Sequence, residues 1–336
     1  MKNIYTILIL LLTTSGLLLT QSKVGTTAAP FLGIGVSPRS SALGGSFVAL
    51  ANDASALYWN PGGVSRLNRT ELIAAHTPWL VETDFNWVGL VVAIDEENAF
   101  GLNITHLDYG DEEITTIENP EGIQQFWDAS DLAVGLTYAR NLTDRFSIGG
   151  TIKYIQQRIW HSSASAFALD VGILFRTYFN DMKIGMSITN FGSEMQMSGK
   201  DLYRKIDLAP GDGGNNPAVT AVLKTDSWTL PLLFRVGVCM DVLKFSNSTF
   251  TAAVDALYPN DNSQSVNLGI EYNWNNNVFF RTGYKSLFRD DANQGFSYGI
   301  GLKYNLYSDS DLFIDFSSEQ FGVFKDVQRL SLGVTF

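Results

Sequence analysis

From residue 66 onward the chain alternates large apolar residues with small or polar ones at a period of two. Leu132, Val134, Leu136 and Tyr138 alternate with Ala133, Gly135, Thr137 and Ala139. Phe167, Leu169, Val171 and Ile173 alternate with Ala168, Asp170 and Gly172, and Phe296, Tyr298, Ile300 and Leu302 with Ser297, Gly299 and Gly301. The same rhythm runs through 146–154, 234–241 and 266–274. Period two is the signature of strands with one apolar face. Each run is about ten residues, the length a tilted strand needs to cross a bilayer. The apolar side is uniformly large and carries aromatics near the ends, among them Tyr138, Tyr154, Phe175, Tyr272, Trp274 and Tyr304. A soluble sandwich also alternates, but this edge of aromatics fits a lipid-facing band.

The connections support the same reading. Tight ones at 95–98, 141–144, 178–181, 244–247, 275–277 and 307–310 alternate with longer ones at 78–84, 108–129, 158–164, 191–230, 258–264, 286–295 and 318–327. Short turns on one side and long loops on the other are typical of outer-membrane barrels, and the segments predict about fourteen strands, the first over 66–77 and the last over 328–336. The fold class is therefore all-β, a transmembrane antiparallel barrel. Its final residues, Leu330 to Phe336, form an alternating strand ending on phenylalanine, which resembles the C-terminal signal read by barrel-assembly machinery.

Residues 38–63 break the pattern. They are crowded with Ser, Ala and Gly and carry a few large anchors: Leu43, Phe47, Leu50, Leu57, Tyr58 and Trp59. The spacing Leu43, Phe47, Leu50 and Ala54, Leu57 predicts short helical turns. Asn60-Pro61-Gly62-Gly63 predicts a stop, since the residue before proline leaves the helical region. A compact small-residue segment ahead of a strand array suggests a plug, because Gly and Ala permit close backbone approach and a wide barrel needs filling. The competing reading is a helical hairpin beside a soluble β domain. Candidate plug residues are Leu43, Gly44, Gly45, Phe47, Asn52, Asp53, Tyr58, Trp59, Asn60 and Pro61.

With this phase, Lys153, Asp170, Arg235, Asp241, Asp255, Glu271, Arg281, Lys303 and Asp315 face inward. Unpaired buried charge is costly, so these residues are expected to pair with one another, with water or with the plug. A polar ligand path is the functional alternative. Lys2 followed by the apolar run Ile4–Leu19 reads as an export leader over residues 1–24, with a transmembrane anchor as the competing reading. This divides the chain into leader 1–24, plug 25–65 and barrel 66–336.

Composition narrows the function. A net charge of -11 gives no basic face for nucleic acid. One cysteine, Cys239, excludes an intrachain disulfide framework and a multi-thiolate zinc site. No cofactor is expected. Asp261-Asn262 and the 212–215 run lack a full calcium ligand set. The histidines are His76, His106 and His161, and no G-x-S-x-G elbow occurs. Nothing pairs serine, histidine and carboxylate at an interpretable spacing, so an enzyme is not expected.

The stretch Ala42-Leu-Gly-Gly-Ser-Phe-Val-Ala-Leu-Ala-Asn-Asp-Ala-Ser-Ala-Leu-Tyr-Trp-Asn-Pro61 resembles the N-terminal signature of the PorV/PorQ family, within the wider FadL-like group of outer-membrane barrels. Further similarity lies in 168–175, 230–237, 258–262, 266–272, 281–285 and 329–336. Gly62 departs from the family, which more often has alanine there; the expected effect is small. The resemblance implies a fourteen-stranded barrel with an N-terminal hatch. It also implies one of two functions. PorV and PorQ are accessory barrels of type IX secretion, and PorV-like members bind the translocon and secreted cargo. FadL moves long-chain fatty acids across the outer membrane. In the first reading, loops 108–129 and 191–230 form the partner surface. In the second, an apolar pocket lies near Phe47, Tyr58 and Trp59. The expected location is the outer membrane, in contact with its lipid.

Overall fold

The computed structural model describes residues 24–211, 216, 218–289, 292–307 and 309–336. The leader 1–24, but for its last residue, and the glycine-rich centre 212–215 of the long loop lie outside the described residues.

Fourteen long strands form one antiparallel ring. They are β1 (Glu71–Pro78), β2 (Asp84–Ala93), β3 (Asn98–Glu113), β4 (Phe126–Asn141), β5 (Phe146–Ile159), β6 (Ser162–Arg176) and β7 (Lys183–Gly192). They continue with β8 (Leu233–Phe245), β9 (Ser248–Pro259), β10 (Ser265–Trp274), β11 (Val278–Leu287), β12 (Gln294–Tyr307), β13 (Ser310–Phe321) and β14 (Val327–Thr335). Each strand pairs with its sequence neighbours. β14 returns to β1 with Glu71 opposite Thr335, so no edge is left open.

The alternation decides which face is which. On β3 the side chains of Phe100, Leu102 and Ile104 are exposed, while Ala99, Asn103 and Thr105, on the alternate positions, are buried. The large apolar residues therefore point out of the ring and the small and polar ones point in. That is inverse to a soluble core and matches a lipid-facing band.

The strands depart from the sequence expectation at four places. β1 begins at Glu71, because Pro61–Arg66 forms a buried 3-10 helix. The Asn60 side chain accepts from Gly62 N (3.0 Å) at its start, and Arg66 ties its end to the carbonyls of Asp144 (2.9 Å) and Thr143 (3.1 Å). The expected loop 158–164 is a two-residue turn, Trp160–His161, between strands that run on. Most of 108–129 is likewise strand: β3 and β4 pair past a bulge at Asp108/Asp111, out to Glu113 opposite Phe126. The loop 191–230 holds five short strands, including the hairpin Tyr203–Ile206 with Val219–Val222.

Inside the ring lie residues 29–66. They contain two short α-helices, α1 (Pro38–Ala42) and α2 (Ala56–Trp59). Gly44 (φ 65) and Gly45 (φ 77) adopt left-handed backbone and end α1, and after them the expected helical spacing gives a single turn, with Ala51 N donating to the Phe47 carbonyl (2.9 Å). Phe31, Leu32, Val64 and Leu57 join one apolar cluster with Phe85, Trp87 and Ile155 of the wall and with Met195 and Leu230 of the long loop. Leu43, Phe47, Leu50 and Trp59 join a second, with Cys239 and Ala253.

Candidate functional site

The inner wall presents polar groups at the heights where the N-terminal segment exposes unpaired backbone. A buried peptide group without a partner costs about 1–3 kcal/mol, so these pairings decide where an irregular chain can rest. The Asp255 carboxylate on β9 accepts from Phe47 N (2.8 Å) and Val48 N (2.9 Å). Ser297 on β12 accepts from Gly44 N and donates to the Ala42 carbonyl, both at 3.1 Å. Ser187 on β7 donates to the Trp59 carbonyl (3.0 Å), and Ser147 on β5 to that of Gly62 (2.6 Å). The Asn60 amide donates to the carbonyls of Val48 (2.7 Å) and of Ile173 in β6 (2.9 Å), joining segment and wall through one side chain.

Close approach is bought by glycine on both sides. A Cβ at Gly44 would sit 2.8 Å from the backbone of Leu268 and Tyr284. A Cβ at Gly62 would sit 2.7 Å from Gly172 O and Ile173 Cα. The departure at Gly62 is therefore not small: backbone, which cannot rotate away, occupies the space an alanine methyl would take. The opposing wall residues are themselves glycine, with Gly172 against Asn60 and Gly283 against Leu43 and Gly44.

Charges form the second layer. Arg39 on α1 pairs with Asp53 (3.0 Å) and with Glu271 of β10 (2.9 Å). Glu271 also takes Arg281 of β11 (2.7 Å), and Arg281 reaches Asp315 of β13. A chain of carboxylates and guanidiniums thus links segment and barrel. It borders a polar cavity of about 280 Å³ that is also lined by Asn52, Glu71 and Lys303. Lys153 and Asp170 pair at 2.9 Å, and Asp170 also accepts from Asn190 N (2.7 Å). Arg235 lies over the rings of Trp59 (5.1 Å) and Tyr58 (5.4 Å). Tyr58 donates to the Leu32 carbonyl (2.9 Å). Burial pushes its hydroxyl above the ordinary range, against the opposing charge of Arg235.

The structure does not bring every inward charge to the segment. Asp241 sits half-exposed at the turn end of β8 with Lys244 (3.1 Å) and Thr251 (2.7 Å). Lys303 pairs with Asp311 (2.9 Å). Phe47 and Trp59 are packed edge to face at 6.3 Å and are almost completely buried, as core side chains of the segment. Sequence reasoning missed Arg39, the inward serines and the buried pair Glu319–Arg329 (2.7 Å), which Lys285 joins at 3.2 Å. The serines did carry a signal: each falls on the inward phase of its strand, where alanine would suffice for packing alone.

The histidines are dispersed. His76 points outward beside Asn86 (2.8 Å). His161 contacts Asp201 (3.2 Å), and Ser162 donates to the same carboxylate (3.2 Å) rather than to the imidazole. The serine hydroxyl thus faces an acceptor with no histidine between, which is not the relay that nucleophilic catalysis uses.

Residues 19–209, more than half of the chain, match the family described as type IX secretion system protein PorV. The chain belongs to the PorV family. Solved structures with the same fold include the CymD monoaromatic hydrocarbon channel (TM-score 0.56, 11% identity, covering 90% of this chain and 96% of that one). The Pseudomonas putida toluene transporter TodX (0.54, 14%, 90% and 97%) and a Pseudomonas aeruginosa FadL homologue (0.52, 13%, 90% and 98%) are similar in the same way. At these identities the likeness is one of fold. No curated protein matches the sequence. With the closed ring and its outward apolar face, the family makes this PorV-family chain an outer-membrane β-barrel.

Proposed function

We propose that this PorV-family barrel is a non-catalytic accessory of type IX protein secretion, exported by its leader. Residues 25–65 serve as a hatch that closes its lumen, and the loop end, facing outward from the cell, serves as its protein-docking surface. The observation that carries the reading is the hatch itself. It is bonded to strands around the ring and filled by an apolar core, within a chain whose family is named for secretion. A barrel stoppered this way contributes an outer surface, and the long strand extensions and folded loop at one end supply one.

The alternative is a carrier of hydrophobic small molecules, as the names of the structural neighbours indicate for those proteins. Such a path needs apolar space inside the ring. Phe31, Leu32, Leu57, Trp87, Ile155 and Met195 fill much of that region here.

Affinity isolation of the tagged barrel from outer membranes in mild detergent, with mass spectrometry of protein and lipid, tests the reading. A stoichiometric outer-membrane protein partner is expected. Bound fatty acid or hydrocarbon with no protein partner would overturn it in favour of the carrier.

A further inference from the structure

The loop end holds a second cavity, of about 560 Å³, between the β3–β4 extension, the β5–β6 turn and residues 195–202. Its walls are apolar: Trp127 and Trp160 with Ile114, Ile159, Met197 and Leu202. Trp160 is held in place. Its ring stacks on His161 at 4.1 Å, and the imidazole is fixed in turn by Asp201 at 3.2 Å. Desolvation raises the Asp201 pKa, but hydrogen bonds from His161 and Ser162 outweigh it and hold the carboxyl below its ordinary value. Met197, which lines the cavity, packs onto the apolar cluster that includes Met195, Leu230 and Ile155.

The charged side chains that line the cavity are both carboxylates, with Arg204 beside them donating to the Asp201 backbone carbonyl (2.8 Å). Glu113 and Asp201 border the cavity. From Asp108 to Asp128 the chain carries seven carboxylates and no lysine or arginine. Among the described residues only Asp128 of these has a cationic partner, Arg158. An apolar pocket under an acidic edge selects a solute with an apolar group to bury and a positive charge beside it. Indole faces add affinity for the cation itself, and rim charge sets specificity and association rate.

We infer that this cavity is a docking pocket for an extended polypeptide segment that inserts one aromatic or aliphatic side chain between Trp127 and Trp160 and sets an adjacent lysine or arginine against Glu113 and the acidic hairpin. The assignment rests on the secretion reading for the choice of a polypeptide as occupant. It adds the place and chemistry of the contact.

The test uses the full-length barrel in detergent and two labelled decapeptides, one with phenylalanine between two lysines and one with glutamates replacing them. Fluorescence anisotropy should show the lysine peptide binding at least about tenfold more tightly, with a lead that shrinks as salt rises. Trp160→Ala, at an exposed turn, and Glu113→Lys, at the rim, should each weaken the lysine peptide about tenfold. Unheated-gel mobility checks that both variants are folded. Equal binding of the two peptides, undiminished binding in both variants, or displacement of the lysine peptide by myristate at equal concentration would overturn the pocket assignment. All of these leave the secretion reading standing. Failure of the wild-type barrel to bring down any outer-membrane protein overturns the secretion reading separately.

Discussion

Residues 29–66 and residues 191–230 are both long stretches with little regular structure, and they end up in opposite conditions. The first is buried almost throughout and bonded to strands around the ring. Among its described residues the second buries Met195 and Leu230 near its ends and holds the middle hairpin out with Tyr203, Arg204, Lys205 and Ile206 exposed. The difference does not lie in helix or strand content. It lies in what the surroundings offer the backbone. The segment meets Asp255, Ser147, Ser187 and Ser297 at its unpaired amides and carbonyls, whereas the two strands of the hairpin pair with each other. Irregular chain becomes rigid where a wall satisfies its polar groups.

This contrast can be broken from the segment's side. Arg39→Ala strips Asp53 of its cation and Glu271 of one of two. The expected loss is about 3 kcal/mol, the lower end for buried pairs because Arg39 borders the cavity. It should read as a lower temperature for loss of the fast-migrating band on unheated gels. Asp255→Ala leaves two buried amides without an acceptor, at about 1–3 kcal/mol each, less what the buried carboxylate cost to desolvate. Hydrogen exchange at Phe47 and Val48 should rise locally before the barrel melts. Gly62→Ala drives a methyl against Gly172 and Ile173 and should cost about 1–3 kcal/mol by the same gel assay. Replacing 203–222 with a short Gly-Ser linker should leave the stability read by the same gel assay within about 0.5 kcal/mol of wild type, because exposed positions contribute little. A large loss there would erase the distinction between the two regions.

Much of the fold was legible because a membrane barrel writes its geometry at period two. Phe100, Leu102 and Ile104 could only face lipid once the intervening residues were seen to be small or polar. The ends of the strands were harder. Asp111, Glu112 and Glu113 are poor strand formers and read as loop, yet they pair across a bulge with Asp128, Trp127 and Phe126 beyond the apolar band. Within the segment, the spacing of Leu43, Phe47 and Leu50 predicted helical turns, and only the turn from Phe47 to Ala51 forms after α1. The neighbouring glycines Gly44 and Gly45 outweighed that spacing, since left-handed backbone ends a helix whatever the apolar spacing. The inward charges Asp170, Glu271 and Arg281 were visible from phase alone. Their partner Arg39 was not, because its contact with Glu271 spans more than two hundred residues and no local pattern encodes it. The role of Gly172 and Gly283 became visible only when the segment was seen lying against them.

The central claim is that the segment closes the lumen. Single-channel recording in planar bilayers tests it most directly, comparing the wild-type barrel with the folded fraction of a variant lacking residues 38–63. The account predicts little or no conductance for the wild type and a large, stable conductance for the deletion. Equal conductance in the two would mean that the segment is no barrier, and would contradict the account.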